Sequence, residues 1–372
     1  MTITKSLIFT TRFFKAWNFL PQRHTKNHEE FMFIKMLLAT VLFGSCSAFA
    51  QSPASNVEAI TRKLASAEEA KKVADFIAAR FSEAGLKVLA GASPNVAGLV
   101  EGTTRKDEFV IVSAHYDGRG AMDNAAGVAV MIEIARVLAK TPPQRSVLFI
   151  AFDGGERNNS GAKLYAERPL VPLGKTAAAI NLVGFGAGFG DQLHDTLFVV
   201  GAEYSPQIAA AITKHKRGET ASLAMLGDDV TRFAGAEHLH FKLGQLPTIT
   251  ITNGLHYSYH TEADVAGRIN FAALNKHPAT LAKVIAELAN SPEKIEHTTQ
   301  PSYDVDEAAE WHRLLSALRE NVLKTPDNNA GQAHIDDVLL ELKRFKGRAV
   351  QEPKAREAVI LRAASICFYI VK

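Results

Sequence analysis

Two histidines and two carboxylates stand close to the ends of apolar, strand-like segments of this 372-residue chain. His115 follows the run FVIVSA, Glu156 follows VLFIAF, and His260 comes shortly after TITITNG. Asp123 stands close behind the first of these runs. Imidazole nitrogens and carboxylate oxygens form a donor set that suits zinc, with one coordination position left for water or substrate. The four side chains therefore predict a zinc site.

Each of these residues also has an ordinary structural interpretation. Asp123 would serve well as a helix N-cap, the two histidines as hydrogen-bonded loop residues, and Glu156 as a solvated charge. Taken one at a time these interpretations are favoured, but the joint occurrence at strand ends favours a metal. Asp117, two residues beyond His115, would orient that imidazole by a hydrogen bond without binding the metal itself.

The elements that must position these side chains alternate along the chain. Most of the predicted strands are continuous apolar runs, as in sheets that are buried on both faces. The strands are Phe109–Ala114, Ser146–Phe152, Ala177–Val183, Leu197–Gly201 and Pro247–Thr252, and the helices between and after them are Asn124–Lys140, Ser205–Lys216 and Phe271–Asn290. The alternation predicts an α/β three-layer sandwich around a mixed, mostly parallel sheet, and ligands collect at the carboxyl ends of such strands.

The first 50 residues are predicted to be an upstream segment and an export signal. Residues 32–50 combine a lysine, a short apolar run and the ending Ala48-Phe49-Ala50. The apolar run is too short to span a bilayer, so we expect an exported chain, periplasmic or secreted, with no stable membrane span after residue 50. If Cys46 leaves with the signal, Cys367 has no partner, which predicts a domain without disulfides.

The remaining chain is predicted to hold an α/β domain over residues 51–295 and a helical extension over 296–372. Polar, turn-rich sequence follows residue 295, and then Trp311, Leu315 and Leu318 belong to an apolar series with helical spacing. A second helix is predicted over Ile335–Lys346, and a capping box at Ser66–Glu69 predicts another near the start. The formal net charge of +3 gives no basis for nucleic-acid binding.

Four segments resemble the secreted zinc exopeptidases typified by bacterial leucyl aminopeptidase and plasma glutamate carboxypeptidase. They are NVAGLVEG, SAHYDGRGAMDNAAGVAVMIEIARVL, SVLFIAFDGGERNNSGAKLYA and AEHLHFKLGQLPTITITNGLHYSYHTEAD, and the resemblance covers roughly residues 57–290. It implies an aminopeptidase-like fold with two zinc ions that share Asp123. His115 would bind one ion, and Glu156 and His260 the other. Asp117 matches the aspartate that supports the histidine in the family.

Two departures from the family pattern bear on activity. The resemblance implies a glutamate as general base at the position of Gly155 and an aspartate as zinc ligand at the position of Val183. Asp123, Glu156 and His260 still complete one site, so one zinc is expected, with two possible. Loss of a general base typically lowers the rate about 10²–10⁴-fold, and Asp153 and Asp191 are the candidates considered as substitutes.

Three functions follow from this comparison. The first is a zinc-dependent exopeptidase of the aminopeptidase type, hydrolysing peptide bonds with metal-bound water and impaired by the missing base. The second is an inactive relative that binds a peptide or a partner protein. The third is a single-zinc transferase similar to glutaminyl cyclase. If the remaining pocket is intact, restoring glutamate at 155 and aspartate at 183 together should raise turnover.

Overall fold

The computed structural model describes residues 70–118, 120–186, 188–189, 192–217, 221–228, 245–254, 256, 258–322 and 329–371. The export signal with Cys46, the capping box at Ser66–Glu69 and Asp191 lie outside the described residues, as do residues 237–241, the EHLHF part of the last family-like segment quoted above. In the part that is described, no helix is long and apolar enough to cross a membrane.

The described strands form one eight-stranded sheet in the order β1-β2-β4-β3-β5-β8-β6-β7. The strands are β1 Lys87–Val88, β2 Val96–Val100, β3 Arg105–His115, β4 Arg145–Phe152, β5 Thr176–Leu182, β6 Thr196–Val200, β7 Ser222–Leu226 and β8 Thr248–Thr252. The pairs β3/β4, β3/β5, β5/β8 and β6/β7 are parallel, and β1/β2, β2/β4 and β6/β8 are antiparallel. The predicted mixed, mostly parallel sheet is confirmed.

Helices cover both faces of this sheet. In chain order they are α1 Ala70–Glu83, α2 Ala126–Lys140, α3 Ser160–Glu167, α4 Pro206–His215, α5 Phe271–Leu274, α6 His277–Asn290, α7 Glu307–Val322, α8 Asn329–Lys343, α9 Pro353–Arg356 and α10 Arg362–Val371. Helices α1, α2, α4 and α6 share one apolar core with the sheet, and α3 packs on the opposite face. The three-layer α/β sandwich and the helical C-terminal part are confirmed.

Alternation along the central strands explains how one sheet serves two cores. In β3, Val110 and Val112 face the core formed with α2 and α6, whereas Phe109 and Ile111 face the core formed with α3. Successive strand side chains point to opposite faces, and both faces are covered here. An unbroken apolar run is therefore the correct signature for β3.

The C-terminal helices complete the second face at the other end of the sheet. Phe198 and Val200 of β6 pack with Leu226 of β7, Trp311 and Leu315 in one buried cluster. The charged contact below this cluster joins Glu307 at the start of α7 to Arg356 at the end of α9. We call this pair the α7/α9 junction.

Two predicted helices need correction. The predicted helix over Phe271–Asn290 is two helices, α5 and α6, and α6 has a proline in its first turn, where a missing N–H costs nothing. The predicted helix from Asn124 is preceded by a π-helical turn over Ala121–Ala125, capped by Gly120. Asp123 therefore lies inside the helical run, and its interpretation as a helix N-cap is wrong.

Strands β2 and β7 were not among the predicted strands. Each has only five residues, and β2 carries a glycine in its centre. Short segments of this kind give little periodic signal, and their place in the sheet depends on partners distant in sequence.

Candidate metal centre

Parallel pairing of β3 and β4 brings the first two candidate ligands to the same edge of the sheet. His115 ends β3 and is in register with Phe152, the last residue of β4. The backbone N–H of Tyr116 then donates to the Phe152 carbonyl at 2.9 Å, which continues the pairing past the strand ends. Glu156 follows four residues after β4, so the geometry of the sheet places its loop beside His115.

The turn that carries Asp123 is fixed from two sides. Phe185 N donates to the Met122 carbonyl at 2.8 Å, and the Ala121 N–H donates to the backbone carbonyl of Asp264 at 3.2 Å. These bonds attach the π-helical turn to the segment after β5 and to the segment after β8. Asp123 is thereby held at the same edge as His115, with 4 % of its surface exposed.

The four predicted ligands converge. One ligand atom from each of His115, Asp123 and Glu156 lies within 4.8 Å of the other two. His260 Nε2 lies 3.3 Å from Asp123 Oδ2 and 3.4 Å from Glu156 Oε2, and His115 Nε2 lies 3.9 Å from Asp123 Oδ1. The two oxygens of Asp123 therefore each face a different histidine.

The donor set fits zinc. A tetrahedral ion with bonds of about 2.0–2.1 Å separates its ligand atoms by about 3.3–3.4 Å. The distances of His260 from Asp123 and Glu156 match that separation. Within the described residues, buried Asp123 Oδ1 accepts no hydrogen bond. A buried carboxylate oxygen without a donor needs a cation nearby, and an ion bound among these residues supplies one.

The pKa values of Glu156 and His260 are both raised in this cluster. Burial, followed by the neighbouring charge of Asp123, raises the pKa of Glu156 to about 7. Hydrogen bonding to Asp123 raises the pKa of the His260 imidazole above its ordinary value. Without a metal, the cluster therefore relieves carboxylate repulsion by taking up protons, and metal binding must displace them.

Asp117 supports the loop of Glu156 as well as facing His115. Its Oδ1 accepts from Gly155 N at 2.6 Å and its Oδ2 from Glu156 N at 3.2 Å, while its Oδ1 lies 3.8 Å from His115 Nδ1. Burial raises the pKa of Asp117, but the nearby imidazole and the two backbone donors outweigh it and leave the pKa below its ordinary value. Asp117 is therefore an ionised anchor between β3 and the loop after β4.

Asp264 is a positioning residue that the sequence analysis did not single out. Its carboxylate accepts from Met122 N at 2.8 Å and from Asp123 N at 3.2 Å. Burial raises the pKa of Asp264 above its ordinary value, partly offset by these backbone donors. The available signal was a carboxylate four residues after His260 in the quoted segment YHTEAD.

Glycines let the loops approach the ligands closely. A Cβ atom at Gly118, where φ is +105°, would lie 2.2 Å from the Asn124 side-chain amide and 3.0 Å from Glu156 Cγ. One at Gly120 would lie 2.5 Å from Asp264 Oδ2. Such distances exclude a side chain unless the surroundings move.

The backbone of His260 adopts a conformation that side chains disfavour. Its φ is +59°, in the left-handed region, and its ring stacks on Tyr259 with 3.9 Å between centroids and a 17° angle between planes. Histidine tolerates this region better than most residues, and such backbone strain concentrates at functional sites.

The two positions where the family pattern is interrupted lie beside the cluster. Gly155 contacts His115, and Val183 immediately precedes Gly184, whose N–H points to the Asp123 carbonyl at 3.5 Å. Asp153, a candidate substitute for the base, instead forms an ion pair with Arg157 at 2.7 Å. Among the described residues, Asp153 is not part of the group that could hold a metal.

Comparison with known proteins identifies the family. The model of peptidase family M28 matches residues 95–285, more than half of the chain, and includes every candidate ligand. The chain belongs to peptidase family M28. Membership confirms the predicted relationship to zinc exopeptidases, and zinc is the metal that it indicates.

Three known proteins show similarity to this chain. The chain is 33% identical over 99 residues to a probable zinc metalloprotease of Pyrenophora teres f. teres, covering 23% of this chain and 21% of that protein. It resembles a Porphyromonas gingivalis glutaminyl cyclase with a TM-score of 0.52 and 20% identity, over 63% of this chain and 97% of the other. It resembles a leucine aminopeptidase precursor of Bacteroides thetaiotaomicron with a TM-score of 0.51 and 17% identity, over 65% and 97%.

These similarities differ in what they support. At these identities, the two solved structures support the fold alone. The chain spans about a fifth of the length of the first curated relatives it matches. For this chain the comparison therefore supports membership of the M28 family, the fold and zinc as the metal, and nothing finer.

Proposed function

We propose that this chain is a zinc-dependent exopeptidase of the aminopeptidase type, with a hydrolysis rate lowered by the absence of a general base at position 155. The observation that supports it most directly is the position of His260 Nε2, which lies 3.3 Å from Asp123 Oδ2 and 3.4 Å from Glu156 Oε2, the separation of tetrahedral zinc ligands. We further propose one zinc ion per chain, because His115 and one oxygen of Asp123 leave a second position with only two protein ligands.

Some residues of the site would bind the metal, and others position the backbone around it. A bound zinc ion polarises a carbonyl oxygen and makes water more acidic. Asp117 fixes the backbone before Glu156, and Asp264 fixes the turn that carries Asp123. Exposure of the His260 side chain, 53 %, leaves one side of the cluster open for a substrate to approach.

A small concavity lies beside Asp123. Its walls combine apolar groups with two carboxylates, and its lining residues are Met122, Asp123, Gly184, Phe185, Gly254, His256, Tyr259 and Asp264. The proposed substrate is a peptide, because the chain belongs to a peptidase family. We also propose that residues 32–50 direct export of the chain to the periplasm or exterior.

Purified protein should be assayed for bound zinc and for release of amino acids from chromogenic aminoacyl substrates. We expect about one zinc per chain and slow, chelator-sensitive turnover that is lost in Glu156→Ala. Glu293→Gln, an exposed change, serves as the matched control. Turnover that survives Glu156→Ala, or a chain that binds no zinc, would contradict the proposal. Two tightly held ions would contradict its single-ion form.

One observation also favours a second candidate, a non-catalytic M28 member that binds peptides. The space beside His115 that a base at position 155 would need is filled by the imidazole itself. Zinc binding and peptide binding without any chelator-sensitive release of amino acids would favour this candidate over the first.

A further inference from the structure

The segment at the end of α8 concentrates positive charge at the surface. Residues 343–348 read KRFKGR, and we call this segment the basic turn. Its four cationic residues are all exposed: Lys343, Arg344, Lys346 and Arg348. These four charges exceed the formal net charge of the whole chain, which is +3. The basic turn is therefore a strongly positive patch on a chain that is otherwise close to neutral.

The cations of the basic turn are not neutralised by carboxylates. Among the described residues, none of the four forms an ion pair. The acidic side chains of α8 are bound by cations from other segments: Asp336 by Arg319, and Asp337 and Glu341 by Arg362. The positive charge of the turn is therefore left to attract an anionic partner.

Hydrogen bonds hold the basic turn in one shape. Phe345 N donates to the Leu342 carbonyl at 3.1 Å, and Arg348 N donates to the Phe345 carbonyl at 3.0 Å. The Arg348 guanidinium donates to the Arg344 carbonyl at 2.8 Å and lies 5.0 Å from the centre of the Phe345 ring. A partner would therefore meet cations that are already gathered, so little conformational entropy is lost in ordering the backbone.

An exposed apolar side chain adjoins these cations. Leu340 has 59 % of its surface exposed, the largest value among the described large hydrophobic residues. It lies three residues before Lys343 in α8, so the two side chains share one face of the helix. At a bilayer surface, leucine enters the boundary between headgroups and acyl chains, while lysine and arginine attract anionic lipid. Leu340 and the basic turn together fit such a surface.

We propose that the basic turn and Leu340 form a docking surface for an anionic phospholipid membrane. The cations lie against the lipid phosphates, and Leu340 enters the apolar boundary beneath them. The exposed leucine favours a bilayer over duplex nucleic acid, whose charged backbone offers no apolar layer. The contact is peripheral and uses no residue of the metal centre.

Sedimentation with lipid vesicles tests the proposal. The chain Gln51–Lys372 is used, because it forms one compact unit and lacks the predicted export signal, which would interact with lipid by itself. We expect it to sediment with vesicles of one part phosphatidylglycerol to two parts phosphatidylcholine, and not with phosphatidylcholine alone. Raising the salt from 0.1 to 1 M shortens the Debye length from about 10 to 3 Å and should release the chain. Equal binding to both kinds of vesicle, or to neither, would overturn the proposal.

Removal of the four cations should abolish most of the binding. Each lysine or arginine near an anionic bilayer contributes about 5-fold to the affinity, so we expect a loss of at least about 100-fold. The variant combines Lys343→Gln, Arg344→Gln, Lys346→Gln and Arg348→Gln. An unchanged midpoint of thermal unfolding should accompany the loss, because all four side chains are exposed.

A control variant of equal net charge shows whether the position of the cations matters. It removes four exposed lysines from other parts of the chain, by Lys71→Gln, Lys72→Gln, Lys283→Gln and Lys294→Gln. We expect it to bind anionic vesicles within about 3-fold of the unchanged protein. Equal losses in the two variants would overturn the proposal, because net charge rather than the basic turn would then determine binding.

Leu340→Gln separates a membrane from a polyanion. If the leucine enters the bilayer, this variant should bind anionic vesicles about 5-fold more weakly while its binding to duplex DNA stays unchanged. DNA binding as strong as vesicle binding, with neither affected by Leu340→Gln, would overturn the membrane assignment in favour of a polyanion. These measurements involve neither zinc nor hydrolysis, so failure here is distinguishable from failure of the proposed function.

Discussion

Two groups of acidic residues in this chain are neutralised in opposite ways. At the α7/α9 junction, Arg356 binds both oxygens of Glu307 at 2.6 and 3.1 Å, and Gly227 N donates to the same carboxylate at 2.6 Å. At the metal centre, Asp123 and Glu156 have only histidines as potential cationic partners within the described residues. One group contains its own cation, and the other depends on protons or a metal.

The carboxylate at the α7/α9 junction stabilises the fold, whereas the carboxylates of the metal centre are available to bind a cation. The Glu307–Arg356 pair is almost fully buried, with side-chain exposures of 1 and 6 %, and Tyr303 stacks 3.3 Å below the guanidinium carbon. Removing one member of such a pair leaves an uncompensated buried charge. At the metal centre, by contrast, the described residues offer no permanent cation, so protons compensate the charge until a metal ion displaces them.

The largest effect is expected from breaking the pair at the junction. Arg356→Met should lower the free energy of unfolding by about 3–5 kcal/mol, since Glu307 stays buried without its cation. Urea unfolding followed by circular dichroism measures this. Exposed Arg348→Met should change stability by no more than about 0.5 kcal/mol, and a loss below 1 kcal/mol in Arg356→Met would show that Glu307 is neutralised by something else.

A second carboxylate beside the junction should make stability depend on pH. Burial, reinforced by the charges of Asp228 and Glu307, raises the pKa of Glu203 to about 7 from its usual 4.5. The folded chain then holds a proton that the unfolded chain releases between these values, so stability falls as pH rises from about 4.5 to 7.

Glu203→Gln should remove that dependence. The amide keeps an acceptor for the Asp228 N–H, so we expect a gain of up to about 3 kcal/mol at pH 8 and none at pH 4. Urea unfolding across this pH range checks it, with Glu293→Gln as the exposed control. A gain of the same size at both pH values would mean that the charge of Glu203 is not responsible.

Supplying the missing cation should stabilise the metal centre. Zinc at 100 times its dissociation constant should raise the free energy of unfolding by about 2.7 kcal/mol, and a chelator should reverse the gain. Glu156→Ala should abolish the response, whereas Arg348→Met should leave it intact. A zinc response that persists in Glu156→Ala would place the bound ion elsewhere in the chain.

The smallest effect is expected at Glu156, where removing a charge should stabilise the metal-free chain. In metal-free protein, Glu156→Gln should raise stability by less than about 1 kcal/mol, because it removes repulsion with Asp123 at a site that solvent partly screens. The same variant should bind zinc more weakly. A clear loss of metal-free stability, comparable with that of Arg356→Met, would show that Glu156 has a structural role like that of Glu307.

The sequence indicated that His115 and Glu156 lie at the same edge of the sheet, because strand ends are a local signal. His115 and Glu156 follow apolar runs long enough to be recognised as buried strands, and parallel pairing then brings them together. The close contact of Gly155 with His115 had no such signal, since it depends on how tightly Asp117 draws the loop inward. Likewise the break between α5 and α6 depends on Pro278, which the apolar spacing alone did not show.

The α7/α9 junction lay beyond prediction for a different reason. Glu307 and Arg356 are 49 residues apart, and neither stands in a motif or at a recognisable strand end. Their pairing follows from the packing of α7 to α10 against β6 and β7, which is a consequence of shape rather than of periodicity. The order of the strands in the sheet could not be predicted either, because an apolar run does not indicate which strand it pairs with.

The packing of the C-terminal helices over β6 and β7 also determines how the protein can be shortened. A chain ending near residue 295 would present Phe198, Val200 and Leu226 to water as a continuous apolar patch. Patches of this kind on an isolated sheet promote aggregation. The peptidase-like part is therefore expected to stay in solution only with its C-terminal helices attached, so the two parts must be produced together.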